Sequence, residues 1–552
     1  MKKNIVLILS MLLISSMFLS MFYVALFGKE ETVEEGLADQ TGKNLQQNLR
    51  INISKEPSTL HPGLAADPTS ISVLLQTFEG LTRIDLWGQT VNAAAKVVKI
   101  SEDQKTYTFT LRDAKWSNGD PVIAKDFEYA WKWALDPSNH SNSAYQLYYI
   151  EGAREFNNGK GSANNVGVKA IDDKTLEVKL VNPTPYFLEL TALPTYFPIN
   201  SIVAEENPKW ASELGVYSSN GPFKMTEWLH NERIVLKKSD NYWDLGPVKL
   251  KSITMFMVDD PISELSMFEK GELDWAGSPI GHMPIDGVQE FVDVEMLNSQ
   301  SVEGNYIYQL NNSVEPFNNV NMRKAFALAI NRKEIIDSIA KLGLTPATAI
   351  VPPTLIPEND KGYFKDYDVK NAKEYLQKGL EELGHTEASE LPPITLSVNT
   401  NEGHEEIALA IQKMWNENLG VNVTLNNSSG KENSDNIQIL DYEVAETGWI
   451  GEFNDPYHFL KMYGDSNSIN NSTGWENNDF RSLLLQAQNE TDENKRLEIL
   501  KKAEDVLMSD MPVIPIYFYS NYWLQNEDLQ GVAISGLSHI QFKWAYFEKK
   551  QN

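Results

Sequence analysis

The segment that most restricts the fold of this chain spans residues 106–133 and reads TYTFTLRDAKWSNGDPVIAKDFEYAWKW. Threonines alternate with apolar residues over Thr106–Leu111, which is the period of a half-buried strand. Asn118–Pro121 supplies the glycine and proline of a turn. Asp126 suits the N-cap of a following helix, whose apolar residues recur on one face, namely Phe127, Ala130, Trp131 and Ala134. The segment therefore predicts a strand, a turn and a helix in succession.

Comparable patterns recur in the rest of the chain. Alternating residues predict a strand over Lys174–Leu180, and a Pro-bounded strand is predicted over Pro512–Tyr519. Amphipathic spacing predicts one helix over Asn321–Lys341 and a long helical stretch over Arg481–Met508. Strands and helices mixed without a fixed repeat predict an α/β fold.

The N-terminal residues have the pattern of a membrane anchor or a signal peptide. Lys2 and Lys3 precede an uncharged apolar run from Ile5 to Phe27, which is longer than an ordinary signal core and long enough to span a bilayer. Ala25–Phe27 makes a poor cleavage site, so an uncleaved anchor is favoured over a cleaved signal peptide. Residues 29–48 are polar and predict a flexible tether.

Charge and cysteine content exclude several function classes. The 552 residues include 76 acidic and 48 basic side chains, a formal charge of −28 that argues against nucleic-acid binding. The chain has no cysteine, which excludes disulfides, thiolate metal sites and attachment of a lipid to an N-terminal cysteine.

Motifs of enzymes and cofactor sites are missing from the sequence. Residues 277–281 have proline where a G-x-S-x-G motif has its serine, and no phosphate-binding glycine loop is found. His404–Glu406 begins like a zinc-binding helix, but Ala408 stands where the second histidine would be. We therefore predict no enzymatic activity, no metal and no cofactor.

Residues 448–456, GWIGEFNDP, form the sharpest candidate site. Gly448 and Gly451 let a ligand backbone come close, and Glu452 can meet a free amine. An extended peptide could pair with this backbone by strand addition. An acidic surface loop with a structural tryptophan is an equal alternative from the residues alone.

Several ordered blocks resemble the oligopeptide-binding proteins of peptide ABC importers, an extracytoplasmic solute-binding family. The blocks are LRDAKWSNGDPVIAKDFEYAWK within the opening segment, EPSTLHP (56–62), FEGL (78–81), GVKAIDDKTLEVKL (167–180), NPTPYF (182–187), SNGPFK (219–224), NERIVL (231–236), NMRKAFALAINR (321–332), GWIGEFNDP and MPVIPIYFY (511–519). Together they span nearly the whole chain after residue 49.

The resemblance implies a two-lobed α/β fold of the periplasmic-binding-protein type, with a hinge and an extra domain inserted in the first lobe. It places lobe I at 49–78, 166–276 and 521–552, the inserted domain at 79–165, and lobe II at 277–520. Residues 1–28 are the anchor or signal and 29–48 the tether. Peptide would lie extended between the closing lobes.

The resemblance also implies site residues. The acid that holds the peptide amine falls at Glu452, the strand that pairs with the peptide falls at Gly448, Trp449 and Ile450, and the opposite edge falls at Ala66, Asp67 and Pro68. His404 matches a histidine near the ligand C-terminus, Trp449 and Trp415 match pocket tryptophans, and Tyr145 lies close to a pocket-tyrosine position that holds Ser143. Two basic groups that meet the peptide carboxylate in relatives are replaced by Val314 and Glu446.

The resulting prediction is a monomeric, surface-anchored receptor that delivers oligopeptides to the permease of an ABC importer, on the extracytoplasmic face of a Gram-positive membrane. Alternatives within the same fold are a dipeptide, a nickel chelate, haem or a sugar as ligand, or a dedicated signalling-peptide receptor. A surface hydrolase is the alternative from another class.

Overall fold

The structure is a computed structural model that describes residues 46–549, apart from 285–286, 289–290, 293, 341–343, 401–402 and 465–470. The predicted anchor and most of the predicted tether lie outside the described residues. Residues Gln47–Asn552 form one structural unit by their contacts.

The strands of the described residues are numbered here in chain order. They are β1 (Asn48–Asn52), β2 (Thr82–Ile84), β3 (Thr90–Asn92), β4 (Ala95–Ile100), β5 (Thr106–Leu111), β6 (Val168–Asp172), β7 (Thr175–Lys179), β8 (Phe223–Leu229), β9 (Arg233–Lys238), β10 (Ser252–Phe256), β11 (Trp275–Gly277), β12 (Asn298–Leu310), β13 (Thr345–Pro346), β14 (Ile394–Asn399), β15 (Val423–Ser428), β16 (Val444–Ile450), β17 (Val513–Gln525), β18 (Leu529–Gln530), β19 (Ala533–Ile534), β20 (Ile540–Gln541) and β21 (Tyr546–Phe547).

Helices lie between and around these strands. They are α1 (Pro68–Thr77), α2 (Ala124–Leu135), α3 (Ala153–Asn157), α4 (Phe187–Leu190), α5 (Ser201–Glu206), α6 (Pro261–Glu269), α7 (Val320–Leu328), α8 (Arg332–Ile335), α9 (Val369–Leu383), α10 (His404–Leu419), α11 (Gly430–Gln438), α12 (Pro456–Leu460), α13 (Asn478–Asn489) and α14 (Glu493–Asp510).

The strand, turn and helix predicted from the opening segment are confirmed as β5 and α2. The apolar residues of β5 and one face of α2 are buried, as the two periodicities require. The prediction that Asp126 is the N-cap is wrong, because the cap is Ile123 and Asp126 is three residues inside the helix. Its carboxylate accepts the Ile123 N–H at 3.1 Å and the Trp116 indole N–H at 3.0 Å, which ties the helix start to the preceding turn.

Both predictions of one long continuous helix are wrong, because each stretch is divided into shorter helices. Residues 321–341 divide into α7, α8 and a π turn at Ile336–Ala340, because the Asn331 side chain accepts the Glu334 N–H and starts a new helix. Residues 481–508 divide into α13 and α14, and Asp492 caps the second helix. In each case a capping side chain supplies a partner for the free N–H groups of a new first turn.

Three sheets organise the unit. The first sheet has the order β1-β10-β9-β8, and the second sheet has the order β4-β5-β7-β6. The large sheet has the order β11-β17-β12-β16-β14-β15, with β13 also paired to β17. Buried side chains of the large sheet and its helices form an extended core that includes Tyr306, Phe326, Ile411 and Trp415.

The chain crosses twice between the large sheet and the half of the molecule that holds the first sheet. The chain enters the large sheet at β11 and leaves it after β17, and these two strands pair at Trp275–Gly277. Asp274, just before β11, forms an ion pair with Arg50 of β1 at 2.9 Å. The first crossing runs from β10 through α6 to β11, and after β17 the chain returns to the first half, where the Phe547 carbonyl accepts the Gln47 side-chain N–H at 2.8 Å.

The predicted domain boundaries remain predictions. The second sheet joins β5 to β6 and β7 across the predicted boundary after residue 165, and β17 runs five residues past the predicted boundary at 520. Within the described part of the chain, no helix is long and apolar enough to cross a membrane.

Candidate functional site

One edge of strand β16 is paired with β14 only at the first residues of β16. Pairing with β14 is limited to Val444 and Ala445, whereas pairing with β12 continues through Ile450. β14 instead continues beside β15 as far as Asn399. The end of β16 therefore leaves an edge that β14 does not cover.

The backbone groups of Gly448 and Ile450 point to this open edge. The Gly451 N–H donates to the Glu303 carbonyl at 2.7 Å, and the Asn311 N–H donates to the Glu443 carbonyl at 3.0 Å, so the odd-numbered residues of β16 are the ones bonded to β12. Bonded and non-bonded pairs alternate along such a ladder, so Trp449 is the next residue bonded to β12. Gly448 and Ile450 then direct their N–H and C=O groups away from β12, where an added strand can accept and donate hydrogen bonds.

Two cavities lie beside the open edge and share Trp449 and Glu452. The first, of about 500 Å³, is lined by Asn399, His404, Glu446, Gly448, Trp449, Ile450, Glu452 and Tyr519. The second, of about 890 Å³, is lined by Tyr145, Gln146, Tyr148, Tyr149, Arg154, Glu155, Val181, Asn182, Thr184, Trp449, Glu452, Tyr457, Lys461 and Gln488. The structure thus brings together six of the predicted site residues, namely Tyr145, His404, Gly448, Trp449, Ile450 and Glu452.

Glu452 lies where the two cavities meet. Its carboxylate accepts a hydrogen bond from the Tyr145 hydroxyl, which comes from the other half of the molecule. A carboxylate in this position can accept hydrogen bonds from a ligand ammonium group, and charge-assisted bonds of this kind are the stronger class.

The indole of Trp449 is held in place from behind. Its Nε1–H donates to Nε2 of His458 at 2.5 Å, and the two rings are stacked. His458 is fully buried, and burial lowers the pKa of its imidazole well below the usual value, so Nε2 stays free to accept. Trp449 consequently presents a fixed wall to both cavities.

His404 begins α10 and contacts Glu446 of β16. Nδ1 of His404 lies 2.7 Å from a carboxylate oxygen of Glu446. The other oxygen accepts the Asn399 amide Nδ2–H at 2.8 Å and the Asn399 backbone N–H at 3.2 Å. Glu446 is almost fully buried, and these donors satisfy its carboxylate.

Ala66, Asp67 and Pro68 form the start of α1 and do not line either cavity. Asp67 caps the helix and accepts the Ser70 N–H at 2.9 Å, while Pro68 is the first helical residue. The Ser143 hydroxyl donates to the Ala65 carbonyl at 3.0 Å and so links this segment to the chain carrying Tyr145.

Trp415 lies outside the cleft. It is fully buried in the core under the large sheet, where its indole N–H donates to the Phe326 carbonyl at 2.8 Å. It is not among the residues that line the two cavities.

The loop after β16 meets the other half of the molecule. Phe453 stacks on Tyr186 with ring centroids 4.1 Å apart, and the Asn454 N–H donates to the Glu189 carboxylate at 2.8 Å. Lys461 reaches the Tyr149 hydroxyl at 3.3 Å. These contacts bring the two halves together around Glu452.

Sequence reasoning missed the polar lining of the first cavity. No sequence pattern marks Tyr519 or Asn399. Glu446 stands out only as an acid at a position where relatives have a basic group. Tyr519 sits in β17, yet its hydroxyl lies directly over Gly448, where any Cβ would overlap with it. The glycine was the available signal, because a close approach to the backbone requires one.

Comparison with known proteins places most of the chain in one family. The model of the bacterial extracellular solute-binding proteins, family 5 Middle, matches residues 59–471.

Individual relatives extend over nearly the full length. The oligopeptide-binding protein OppA of Bacillus subtilis is 51% identical, with 95% of this chain and 96% of that protein covered. The dipeptide-binding protein DppE of the same species is 38% identical, with 94% and 95% covered. The crystal structure of Haemophilus influenzae OppA in complex with RPPGFSPFR has a TM-score of 0.75 at 30% identity, covering 92% of this chain and all 100% of that one.

Proposed function

The chain belongs to the bacterial extracellular solute-binding proteins of family 5, and from this membership we propose that it captures oligopeptides and delivers them to the permease of an ABC transporter. The observation that carries the proposal is the open edge of β16, which ends at the carboxylate of Glu452. Similarity to a relative named for oligopeptides is higher than to one named for dipeptides, which favours the longer ligand.

Peptide binding follows from the chemistry of this edge. Gly448 and Ile450 pair with the peptide main chain, and Glu452 holds its N-terminal ammonium group. Main-chain pairing gives affinity without reading side chains, while Trp449 and Tyr145 supply aromatic surface on either side. In this proposal the ligand also passes the segment Ala66–Pro68, which precedes and begins α1, and its C-terminus lies toward His404.

Binding and closure are coupled in this proposal. Glu452 belongs to the half built on the large sheet, and Tyr145 belongs to the other half, so a ligand between them contacts both. A ligand drives closure only by binding the closed form more tightly. The closed form then docks on the permease, and hydrolysis of ATP takes place on other subunits. The chain itself acts as a receptor and not as an enzyme.

The proposed location is the outer face of the cell membrane, with the run from Ile5 to Phe27 as the anchor of a monomer. Membrane fractionation followed by N-terminal sequencing tests this part. A chain that begins at Met1 or Lys2 in the membrane fraction supports the anchor, whereas a chain that begins after residue 27 contradicts it.

Mass spectrometry of small molecules extracted from the purified full-length chain under denaturing conditions tests the ligand class. A mixed set of short peptides supports a general peptide receptor, and one dominant peptide would indicate a signalling receptor. A nickel chelate, haem or a sugar in place of peptides would contradict the proposal.

A further inference from the structure

The cavity of about 500 Å³ beside β16 has a negatively charged lining. Its charged members are the carboxylates of Glu446 and Glu452, and its only other titratable group besides the Tyr519 phenol is the imidazole of His404. Among the described residues, no lysine or arginine lines it. The lining is therefore net negative whether or not His404 carries a proton.

The Glu446 carboxylate is a fixed part of this lining. It is only 3% exposed and is held by His404 and by two donors of Asn399, at 2.7 to 3.2 Å. With a neutral imidazole the Glu446 charge has no countercharge, and with a protonated imidazole the cavity still holds the second carboxylate, that of Glu452. A buried charge is costly without a countercharge, so a cationic group from a ligand would stabilise it.

The surrounding rings suit the same kind of ligand. Trp449 and Tyr519 line the cavity, and the faces of such rings attract ammonium and guanidinium groups. Burial and the nearby Glu446 carboxylate raise the pKa of the Tyr519 phenol.

The position of Glu446 relative to the open edge connects it with a bound peptide. Side chains two residues apart share one face of a strand, which puts Glu446, Gly448 and Ile450 on the same face of β16. Glu446 is two residues, or about 7 Å, from Gly448. A peptide paired with the edge at Gly448 therefore brings one of its interior side chains within reach of Glu446.

We propose that this cavity is a specificity pocket for a cationic side chain of the bound peptide, and that Glu446 is the residue that selects it. The inference rests on the proposed peptide-binding function and adds a side-chain preference at one position. The same negative lining disfavours an acidic side chain or a C-terminal carboxylate placed there. The pocket acts together with main-chain pairing, so neutral peptides still bind, but less tightly.

Calorimetry with matched peptides tests the proposal. A host pentapeptide of alanine with a free N-terminus carries lysine, norleucine or glutamate at each interior position in turn, and each peptide is titrated into the full-length chain. Norleucine has nearly the length of lysine without its charge. At one position we expect lysine to bind about tenfold more tightly than norleucine, and glutamate to bind less tightly than either.

Two variants assign the preference to its residue. Glu446→Gln keeps the side-chain length and should abolish the advantage of lysine at that position. Glu443→Gln is the matched control, because Glu443 lies just before β16, accepts the Thr395 N–H at 3.1 Å and does not line the cavity. The control should keep the advantage.

The outcomes distinguish failure of the specificity pocket from failure of peptide binding itself. Equal binding of lysine and norleucine peptides at every position of the wild-type chain would overturn the specificity pocket and leave peptide binding intact, and this test needs no folded variant. An advantage that survives Glu446→Gln would overturn the role of Glu446. Failure of every peptide to bind would contradict the proposed function itself, and the pocket with it.

Discussion

At the scale of single residues, the proposed peptide site depends on a few residues at the end of β16 and in the loop that follows it. Glu452 supplies the charge for a ligand amine, and Gly448 supplies a backbone that a ligand can approach. Trp449 is held by His458 so that its ring keeps one position. Each has a role that a conservative substitution can remove.

Replacing Glu452 by glutamine should weaken the binding of every free-amine peptide by about tenfold or more, because a charged hydrogen bond to the amine is lost. The loss should not depend on the peptide side chains, in contrast to the effect expected for Glu446→Gln. Calorimetry measures both. Glu405→Gln, an exposed glutamate on α10, is the control and should bind normally. An unchanged affinity of Glu452→Gln would remove Glu452 from the site.

Replacing Gly448 by alanine should reduce peptide affinity strongly, because the new Cβ overlaps with the Tyr519 hydroxyl beside the pairing edge. Tyr519→Phe in the same chain removes that hydroxyl and should restore part of the affinity. Gly430→Ala is the control, since among the described residues no atom lies within 4 Å of its added Cβ. Normal binding by the single Gly448→Ala variant would show that the edge tolerates a side chain.

Some of the residues around the site were predictable from the sequence, and others were not. Gly448–Glu452 stood out because two glycines, a large ring and an acid are adjacent in the chain. Tyr519 and Asn399 reach the same cavity from other strands of the large sheet, and no local pattern marks them. Trp415 shows the opposite case, because a tryptophan that fills a core and one that lines a pocket look alike in sequence.

At the scale of secondary-structure elements, the loop that carries Glu452 is held by the helix that follows it. Asp455 caps α12 by accepting the Tyr457 N–H at 2.8 Å. The same carboxylate forms an ion pair with Arg496 of α14, with one oxygen at 3.0 Å from the guanidinium. Both partners are nearly buried. The ion pair therefore holds the start of α12, and the loop that carries Glu452, against α14.

Replacing Arg496 by methionine should lower the free energy of unfolding by about 3 kcal/mol or more, because it leaves the buried Asp455 charge without its partner. Chemical denaturation measures this. Adding Asp455→Asn should recover part of the loss. Lys501→Met, which removes a surface ion pair from the same helix, is the control and should change little. Equal stability of Arg496→Met and Lys501→Met would contradict a structural role for the buried pair.

Element types were more predictable than element boundaries. The period-2 and period-3.6 patterns of β5 and α2 are strong because one face of each is buried. Continuous helices were predicted across Asn331 and Asp492, where a side chain caps a new helix instead. Asn and Asp favour caps over helix interiors, so the identity of these residues marks the break, whereas hydrophobic spacing alone does not reveal it.

At the scale of the whole molecule, two buried carboxyl groups lie where the halves meet. Glu189 of α4 accepts the Asn454 N–H, and Glu303 belongs to β12, beside Gly451. Oε2 of Glu303 has no hydrogen-bond partner among the described residues. Burial raises the pKa of Glu189 to about 7, and burial together with Glu189 raises the pKa of Glu303 to about 8.

These carboxyl groups should make the folded state less stable in alkaline solution. A raised acid pKa gives stability that is complete below the unfolded value near 4.5 and is lost as the pH rises through the folded value. The free energy of unfolding should therefore fall as the pH rises from about 4.5 to about 8. Glu303→Gln should reduce that slope by about 1 kcal/mol per pH unit. Denaturation at several pH values measures it, with exposed Glu102→Gln as control; an unchanged slope in Glu303→Gln would exclude this carboxyl.

The sequence predicted the class of the whole molecule but little of its assembly. Ordered blocks along the chain indicated the family, and the family match and the relatives confirm it. The pairing of β5 with β7, and the length of β17, depend on contacts between distant segments. Local periodicity carries no information about such partners, so the domain boundaries remain predictions.

Whether Glu452 holds the amine of a bound peptide is tested by calorimetric titration of one short peptide in two forms, with a free and with an acetylated N-terminus. The full-length chain is first stripped of bound ligand by denaturation and refolded. If Glu452 holds the amine of a peptide paired with β16, the free form should bind about tenfold or more tightly than the acetylated form. Equal binding of the two forms would contradict that arrangement, and failure of a set of unrelated peptides to bind in either form would contradict peptide capture.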